Sequence, residues 1–212
     1  MNSKVNKESD ALILVDIQND FLPGGALEVK GGDEIIPLVN EIQNKFDKIF
    51  ATQDFHPSHH KSFATNHSGE EIGNVIEWKG LSQILWPDHC VQGSKGTEFH
   101  SSLDQSRWTD IIQKGTNPDI DSYSGFFDNA WKLDTGLNER LKLSQVKRVF
   151  IVGLALDYCI KFTALDATKL GYETVLLVDC TKAVNLSPED GEKAMKELQE
   201  AGVELISSGD IK

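Results

Sequence analysis

Three residues of this chain together have the chemistry of a nucleophilic acyl-transfer site: Asp16, Lys114 and Cys159. Each of them comes at or soon after the end of a short apolar run. A thiolate is a strong nucleophile, and a nearby lysine lowers the pKa of a thiol. A carboxylate can take the thiol proton and return it to a leaving amine. Each residue also has a plainer interpretation, as an aspartate in a loop turn, a solvated lysine or a buried inert thiol. Their convergence in space would favour catalysis.

A second group of residues has the chemistry of a metal site. Asp54 and His56 are two residues apart, which in an extended segment places both side chains on one side. The candidate for a third ligand is His89, in the turn Trp-Pro-Asp-His-Cys. Three protein ligands would leave positions for water or substrate, as in catalytic zinc sites. An aspartate with two histidines suits zinc, iron or manganese alike.

The remaining histidines and cysteines receive plainer roles. A histidine in a polar loop is most often solvated or is a hydrogen-bonding partner of a metal-binding residue. We interpret four histidines in this way: His59, His60, His67 and His100. Cys90 adjoins His89, and adjacent residues rarely present both side chains to one ion, so a packing role is expected. Cys180 has no charged helper nearby and is interpreted as a structural thiol.

Apolar runs rich in β-branched residues alternate with amphipathic segments along the chain. This pattern predicts an α/β domain with a parallel sheet covered by helices on both faces. The predicted strands are residues 11–15, 48–52, 110–113, 148–152, 174–178 and 203–206. The predicted helices are residues 34–46, 133–143, 158–170 and 188–201.

The carboxyl ends of parallel strands meet at one edge, where ligands bind in open sheets. The first four predicted strands are followed there by Asp16, by Asp54 and His56, by Lys114, and by the turn that carries Cys159. At the start of a helix, the sulfur of Cys159 would lie near free N–H groups and the positive end of the helix dipole. The sequence therefore predicts a thiolate at this edge.

One long insertion, from residue 54 to about 108, interrupts the alternation of strands and helices. His, Gly, Ser and Trp replace periodic apolar residues in it. Loops of this length inside a compact domain are usually functional. We expect a single domain over residues 1–212 that carries this insertion.

Composition narrows the class of protein. The chain has 212 residues, 39% of them apolar, and a formal net charge of -12, which argues against nucleic acid or anionic membranes as partners. No apolar run approaches the ~20 residues that span a bilayer, and residues 1–10 lack the apolar core of a signal peptide. The cysteines are few and scattered, which suits a reducing compartment, and a cytoplasmic location is expected.

Four sequence strings carry a resemblance to a known family. They are VDIQNDF at residues 15–21, QDFHP at 53–57, WPDHCV at 86–91 and GLALDYC at 153–159. These strings resemble the nicotinamidase branch of the isochorismatase-like cysteine hydrolases, and the match runs through nearly the whole chain. The resemblance implies a six-stranded parallel sheet and a catalytic triad of Asp16, Lys114 and Cys159. It also implies an oxyanion hole from the N–H groups of Ala155 and Cys159, beside a cis peptide between Leu154 and Ala155.

The resemblance further implies one divalent metal ion, with zinc first and iron or manganese as alternatives. Its ligands would be Asp54, His56 and His89. Relatives that act on isochorismate generally lack this set, which favours nicotinamide as substrate. Nicotinamide is flat and neutral, so its pocket should combine apolar walls with a few polar groups. The resemblance places four residues around the ring, with core packing as the alternative: Phe21, Leu27, Trp86 and Tyr123.

The implied reaction converts nicotinamide to nicotinate and ammonia through a cysteine thioester, a step of NAD salvage, with pyrazinamide as a further substrate. One alternative is an amidohydrolase of the same superfamily that acts on a carbamoyl or ureido substrate. Another is a nonenzymatic metal- or nucleotide-binding module on a doubly wound sheet. No Gly-x-Gly-x-x-Gly follows the first strand, so dinucleotide binding lacks its usual support. Association into a homo-oligomer stays open.

Overall fold

The computed structural model describes residues 4–212, so residues 1–3 of the predicted domain and of its polar N-terminal segment lie outside the described residues. The strands are β1 Asp10–Val15, β2 Ile49–Asp54, β3 Val75–Trp78, β4 Leu81–Ile84, β5 Asp110–Lys114, β6 Arg148–Leu154, β7 Glu173–Lys182 and β8 Glu204–Ile206. The α-helices are α1 Ile36–Gln43, α2 Leu137–Leu143, α3 Lys161–Lys169 and α4 Asp190–Glu200. Within residues 4–212, no helix combines the length and apolar character needed to cross a membrane.

Six strands form one parallel sheet in the order β5-β2-β1-β6-β7-β8, which confirms the predicted α/β fold. Strand β1 lies near the middle and is buried along its whole length. Its alternate residues enter two separate apolar cores: Leu12 and Leu14 on one face, Ile13 and Val15 on the other. A continuous apolar run is what a strand covered on both faces requires.

All four α-helices begin later than the sequence indicated. A 3-10 turn, Gly32–Ile35, precedes α1, which has a proline in its first turn, where the missing N–H costs nothing. Helix α2 starts only after Gly136, whose φ of 89° is left-handed. The third predicted helix opens as a π-turn, Leu156–Ile160, before α3 continues it. That π-turn contains the candidate nucleophile.

The insertion contains a β-hairpin that the sequence analysis missed. Strands β3 and β4 pair antiparallel, and Lys79 and Gly80 join them with φ values of 52° and 81°. A two-residue turn with both φ values positive matches the twist of a hairpin. Trp78 Nε1 donates to the carbonyl of Asp119 at 2.9 Å, and Lys79 forms a 2.6 Å ion pair with the same residue. The hairpin is therefore tied to the segment that follows β5.

Near its carboxyl end, strand β6 passes very close to strand β1. Gly153 lies where the β6–β7 register shifts, and a Cβ there would stand 2.0 Å from the carbonyl oxygen of Val15. Only glycine fits so close to β1 at this φ of 119°. One residue further along, the peptide bond between Leu154 and Ala155 is cis, as the resemblance implied. The chain then turns directly into the segment that carries Cys159.

Candidate active site

Asp16 leaves the end of β1 in a left-handed conformation, with a φ of 48°. Its carboxylate is fully buried and accepts a 2.6 Å hydrogen bond from the hydroxyl of Thr52 on the neighbouring strand. A buried carboxylate needs such partners to be tolerated. The backbone bend at Asp16 points this side chain into the edge of the sheet instead of into a core.

Lys114, at the end of β5, connects the candidate triad. Its Nζ lies 2.9 Å from Asp16 Oδ2, 2.5 Å from Asp54 Oδ1 and 3.4 Å from Cys159 Sγ. It also donates to the carbonyl of Ser122 at 2.9 Å. The lysine is 1% exposed, so two carboxylates and a carbonyl compensate an ammonium removed from water. The structure thus brings Asp16, Lys114 and Cys159 together.

The electrostatics differ from the expected resting thiolate. Burial raises the pKa of the Cys159 thiol well above its ordinary value, and the charge of Lys114 only partly opposes this effect. Burial also raises the pKa of Asp16 against the opposing effect of Lys114. For Lys114, burial acts to lower the pKa, but Asp16 and Asp54 raise it well above its ordinary value. The thiol is therefore the resting form, and a proton acceptor is needed to make it a nucleophile.

The candidate metal ligands face one another beside the triad. His56 Nε2 lies 3.4 Å and His89 Nε2 3.8 Å from Asp54 Oδ2, and the three donor atoms lie within 4.8 Å of one another. Each imidazole makes a hydrogen bond through Nδ1 to a backbone carbonyl, His56 to Gly115 at 2.9 Å and His89 to Pro87 at 2.8 Å. Bonds of this kind orient metal-binding histidines and leave Nε2 for the ion.

The donor set fits a divalent cation. His56 Nε2 is buried and has no hydrogen-bond partner among residues 4–212. For Asp54, burial acts to raise the pKa, but Lys114 and His56 lower it well below its ordinary value, so the carboxylate is charged. A charged carboxylate beside an unpartnered imidazole nitrogen is a natural cation ligand pair. The residues present support a metal ion at this place.

His60 also belongs to this site, which the sequence analysis missed. Its side chain is fully buried, so a solvated histidine was the wrong interpretation. The ring centroid lies 4.3 Å from that of His56, and its Nε2 has no hydrogen-bond partner among the described residues. Donor atoms of His56, His60 and Asp121 also lie within 4.8 Å of one another. Burial lowers the pKa of His60 to about 4. In the sequence, only the position of His60 six residues after Asp54 indicated that it lies beside the candidate metal ligands.

A mainly apolar pocket opens on the sulfur of Cys159. All four residues expected around the substrate line it, together with both expected oxyanion-hole residues and two of the three metal ligands: Phe21, Leu27, Trp86, Tyr123, Ala155, Cys159, Asp54 and His89. Three further residues complete the wall: Asp121, Tyr158 and Val184. Trp86 Nε1 donates to the hydroxyl of Tyr123 at 3.1 Å. Tyr158 packs edge-on against Trp86, with the ring centroids 4.9 Å apart. This pocket suits a flat aromatic ligand.

Comparison with known proteins agrees with this geometry. The isochorismatase domain matches residues 10–210. The nicotinamidase of Escherichia coli strain K12 is 42% identical over 204 residues, which cover 94% of this chain and 95% of that protein. The solved nicotinamidase/pyrazinamidase of Acinetobacter baumanii superposes with a TM-score of 0.93 at 42% identity, covering 96% of this chain and 98% of that one. The pyrazinamidase of Pyrococcus horikoshii, solved in complex with zinc, gives a TM-score of 0.77 at 41% identity, covering 94% and 99%.

The fold and the relatives together define a hydrolase built on a six-stranded parallel sheet. With a match over residues 10–210, the chain belongs to the isochorismatase family.

Proposed function

We propose that this protein is a metal-dependent amidohydrolase that converts nicotinamide to nicotinate and ammonia, and that it also accepts pyrazinamide. One observation supports this most strongly. The thiol of Cys159, 3.4 Å from Lys114 Nζ, and the donor atoms of Asp54 and His89 line the same aromatic-walled pocket. One nicotinamidase is 42% identical to this chain, and a solved nicotinamidase/pyrazinamidase has the same fold at 42% identity.

The reaction begins with attack of Cys159 Sγ on the carboxamide carbon. Asp16 takes the thiol proton, and the carbonyl electron pair moves to the oxygen. When the tetrahedral intermediate collapses, the C–N bond breaks and ammonia leaves with the proton from Asp16. Water then adds to the thioester while Asp16 accepts its proton. When the C–S bond breaks, Asp16 returns this proton to the sulfur, and the released nicotinic acid ionises to nicotinate. Lys114 keeps its charge throughout, since its pKa lies well above neutrality.

The backbone N–H groups of Ala155 and Cys159 are the proposed oxyanion hole. Both residues line the pocket: Ala155 follows the cis peptide bond and directly precedes the π-turn, and Cys159 lies within that turn. In other hydrolases, removing one such donor costs about 3 kcal/mol of transition-state stabilisation. Backbone donors need no reorganisation when the oxyanion forms, so rigid placement of this turn favours the reaction.

Asp54, His56 and His89 are the proposed ligands of the metal, with His60 as a further nitrogen beside them. When bound, the metal would orient the substrate ring through its pyridine nitrogen or a coordinated water. Zinc is the proposed ion, since a zinc-bound relative shares the fold, and iron or manganese suit the same ligands. In this proposal, residues 54 to about 108 are an insertion in a single domain over residues 1–212, and the insertion supplies most of the metal site.

The compartment proposed for this chemistry is the cytoplasm. Cys90, Cys159 and Cys180 are all unpaired. A reducing compartment preserves a thiol nucleophile, which oxidation would inactivate.

Ammonia release from nicotinamide by the purified protein tests the proposal. The assay is run on the protein as purified, after chelation, and after restoring zinc. Release that disappears on chelation and returns with zinc is the expected result. Absence of release in every state, with turnover of a carbamoyl or ureido amide, would contradict nicotinamide as substrate.

A further inference from the structure

The ladder between β1 and β2 ends one residue before the bend at Asp16. Its last pair is Val15 with Thr52, and Asp16 then takes its left-handed conformation. The backbone of β1 therefore no longer follows β2, although β2 continues to Asp54. On its other side Asp54 pairs with β5. Its own N–H and C=O face the gap that β1 has left.

The side chain of Gln18 fills that gap. Its Oε1 accepts a 2.8 Å hydrogen bond from Asp54 N, and its Nε2 donates to Asp54 O at 2.8 Å. The primary amide thus takes the place of the missing strand and satisfies both backbone groups of a candidate metal ligand. Gln18 is fully buried, and its Nε2 also donates to the carbonyl of Thr97 at 2.9 Å.

Asp20, two residues further along, holds the second ligand-bearing segment. Its Oδ2 accepts a 2.7 Å hydrogen bond from Cys90 N, directly after His89. Cys90 has a φ of 46°, and its carbonyl accepts a 3.0 Å hydrogen bond from His56 N. The backbone of Cys90 therefore links His89 to His56, and Asp20 anchors it through the N–H of Cys90. A Cβ on Gly96 would stand 1.9 Å from Asp20 Oδ2, so the carboxylate fills the space that this glycine leaves.

We propose that Gln18 and Asp20 are positioning residues of the metal site: Gln18 fixes the backbone of Asp54, and Asp20 fixes the turn that joins His89 to His56. This inference rests on the proposed metal site. Asp20 belongs to none of the groups of His, Cys, Asp and Glu donors found among the described residues, and both amide atoms of Gln18 bond backbone groups. Gln18 and Asp20 bond the backbone of the ligand-bearing segments and not the metal itself. Hydrogen-bonding partners of this kind set the orientation of metal ligands and hence the affinity for the metal.

The test measures zinc affinity of chelator-stripped protein by competition with a chromophoric chelator. Gln18→Met keeps the side-chain size and removes both contacts with Asp54. Asp20→Asn leaves one acceptor oxygen for two backbone donors, Cys90 N and Ala26 N. Both variants should bind zinc about 10- to 100-fold more weakly. The matched control is Gln53→Met, because Gln53 Nε2 also donates to the carbonyl of Thr97 at 2.9 Å without touching the backbone of Asp54.

Thermal unfolding of the stripped variants separates loss of metal affinity from loss of the fold. If Gln18→Met or Asp20→Asn does not fold, Gly96→Ala displaces the carboxylate of Asp20 and should lower zinc affinity in the same way. Unchanged affinity in the folded variants, or an equal loss in Gln53→Met, would overturn the assignment. Failure of the unmutated protein to bind zinc would overturn the proposed metal site, and this inference with it.

Discussion

The ammonium group of Lys114 lies 3.4 Å from the sulfur of Cys159, and both side chains are buried. An isolated ammonium would favour a thiolate, but this one already pairs with two carboxylates, Asp16 and Asp54. Burial therefore outweighs the charge of Lys114 and raises the pKa of the thiol, and in the proposed mechanism Asp16 accepts its proton. The lysine serves chiefly to keep two buried carboxylates together at one edge of the sheet.

Replacement of the proposed nucleophile tests the site most directly. Cys159→Ala should lower ammonia release by about 10⁴-fold or more, because no other group can form the thioester. Its zinc content and circular dichroism should match those of the unmutated protein. Cys180→Ala is the control, since burial raises the pKa of Cys180 to about 12 and it lies outside the pocket. Comparable activity in the Cys159 and Cys180 variants would contradict the assignment.

Loss of a metal ligand should empty the site without disturbing the triad. His89→Ala removes one of the proposed ligands, whereas Asp54→Ala would also remove a partner of Lys114. Elemental analysis of His89→Ala should show zinc falling from about one ion per chain towards none. His67→Ala serves as control, because His67 bonds only the carbonyl of Lys61 and belongs to none of the ligand groups among residues 4–212. Full zinc content in His89→Ala would exclude this ligand.

Removal of the buried ammonium should make stability depend on pH. Lys114 lowers the pKa of both Asp16 and Asp54 in the folded protein, so Lys114→Met raises both. A carboxyl whose folded pKa exceeds its unfolded value stabilises the fold at low pH, and this stabilisation is lost as pH rises through the folded pKa. Metal-free Lys114→Met should therefore lose about 3–5 kcal/mol at pH 7 and less at pH 5.

Thermal unfolding at the two pH values measures this difference. The matched control is Lys79→Met, which removes an exposed ion pair with Asp119 and should change stability little at either pH. A deficit in Lys114→Met that is the same at pH 5 and pH 7 would show that Asp16 and Asp54 do not titrate as described.

Gly115 lies directly against the imidazole ring of His56, so a larger residue at position 115 should change the position of that ring. A Cβ on Gly115 would stand 2.3 Å from His56 Cε1, so Gly115→Ala should displace the imidazole and weaken zinc binding. Because Gly115 has a φ of 64°, alanine also adds backbone strain of about 1–2 kcal/mol. Gly69→Ala separates the two effects, since Gly69 has a φ of 82° and no atom within 4 Å of an added Cβ. Equal zinc affinity in both variants would contradict the steric argument.

The sequence by itself determined the order of the main strands and helices and most of the residues that meet at the candidate site. Apolar runs predict strands because burial on both faces demands them, and parallel strands bring their carboxyl ends to one edge. That rule placed Asp16, Lys114 and Cys159 at the same edge before any distance was known. The start of α2 was less predictable, because a left-handed Gly136 delays it.

Tertiary structure alone decided how these groups share charge and protons. Asp54 was expected only as a metal ligand, yet its second oxygen pairs with Lys114 at 2.5 Å. His60 was expected either in solvent or as a hydrogen-bonding partner of the ligands, and the folded chain buries it against His56. The burial of a side chain and its ion pairs depend on which distant segments of the chain pack together. Local residue patterns do not predict that packing. The resting thiol of Cys159 follows from the same cause, because desolvation exists only once the site has closed around it.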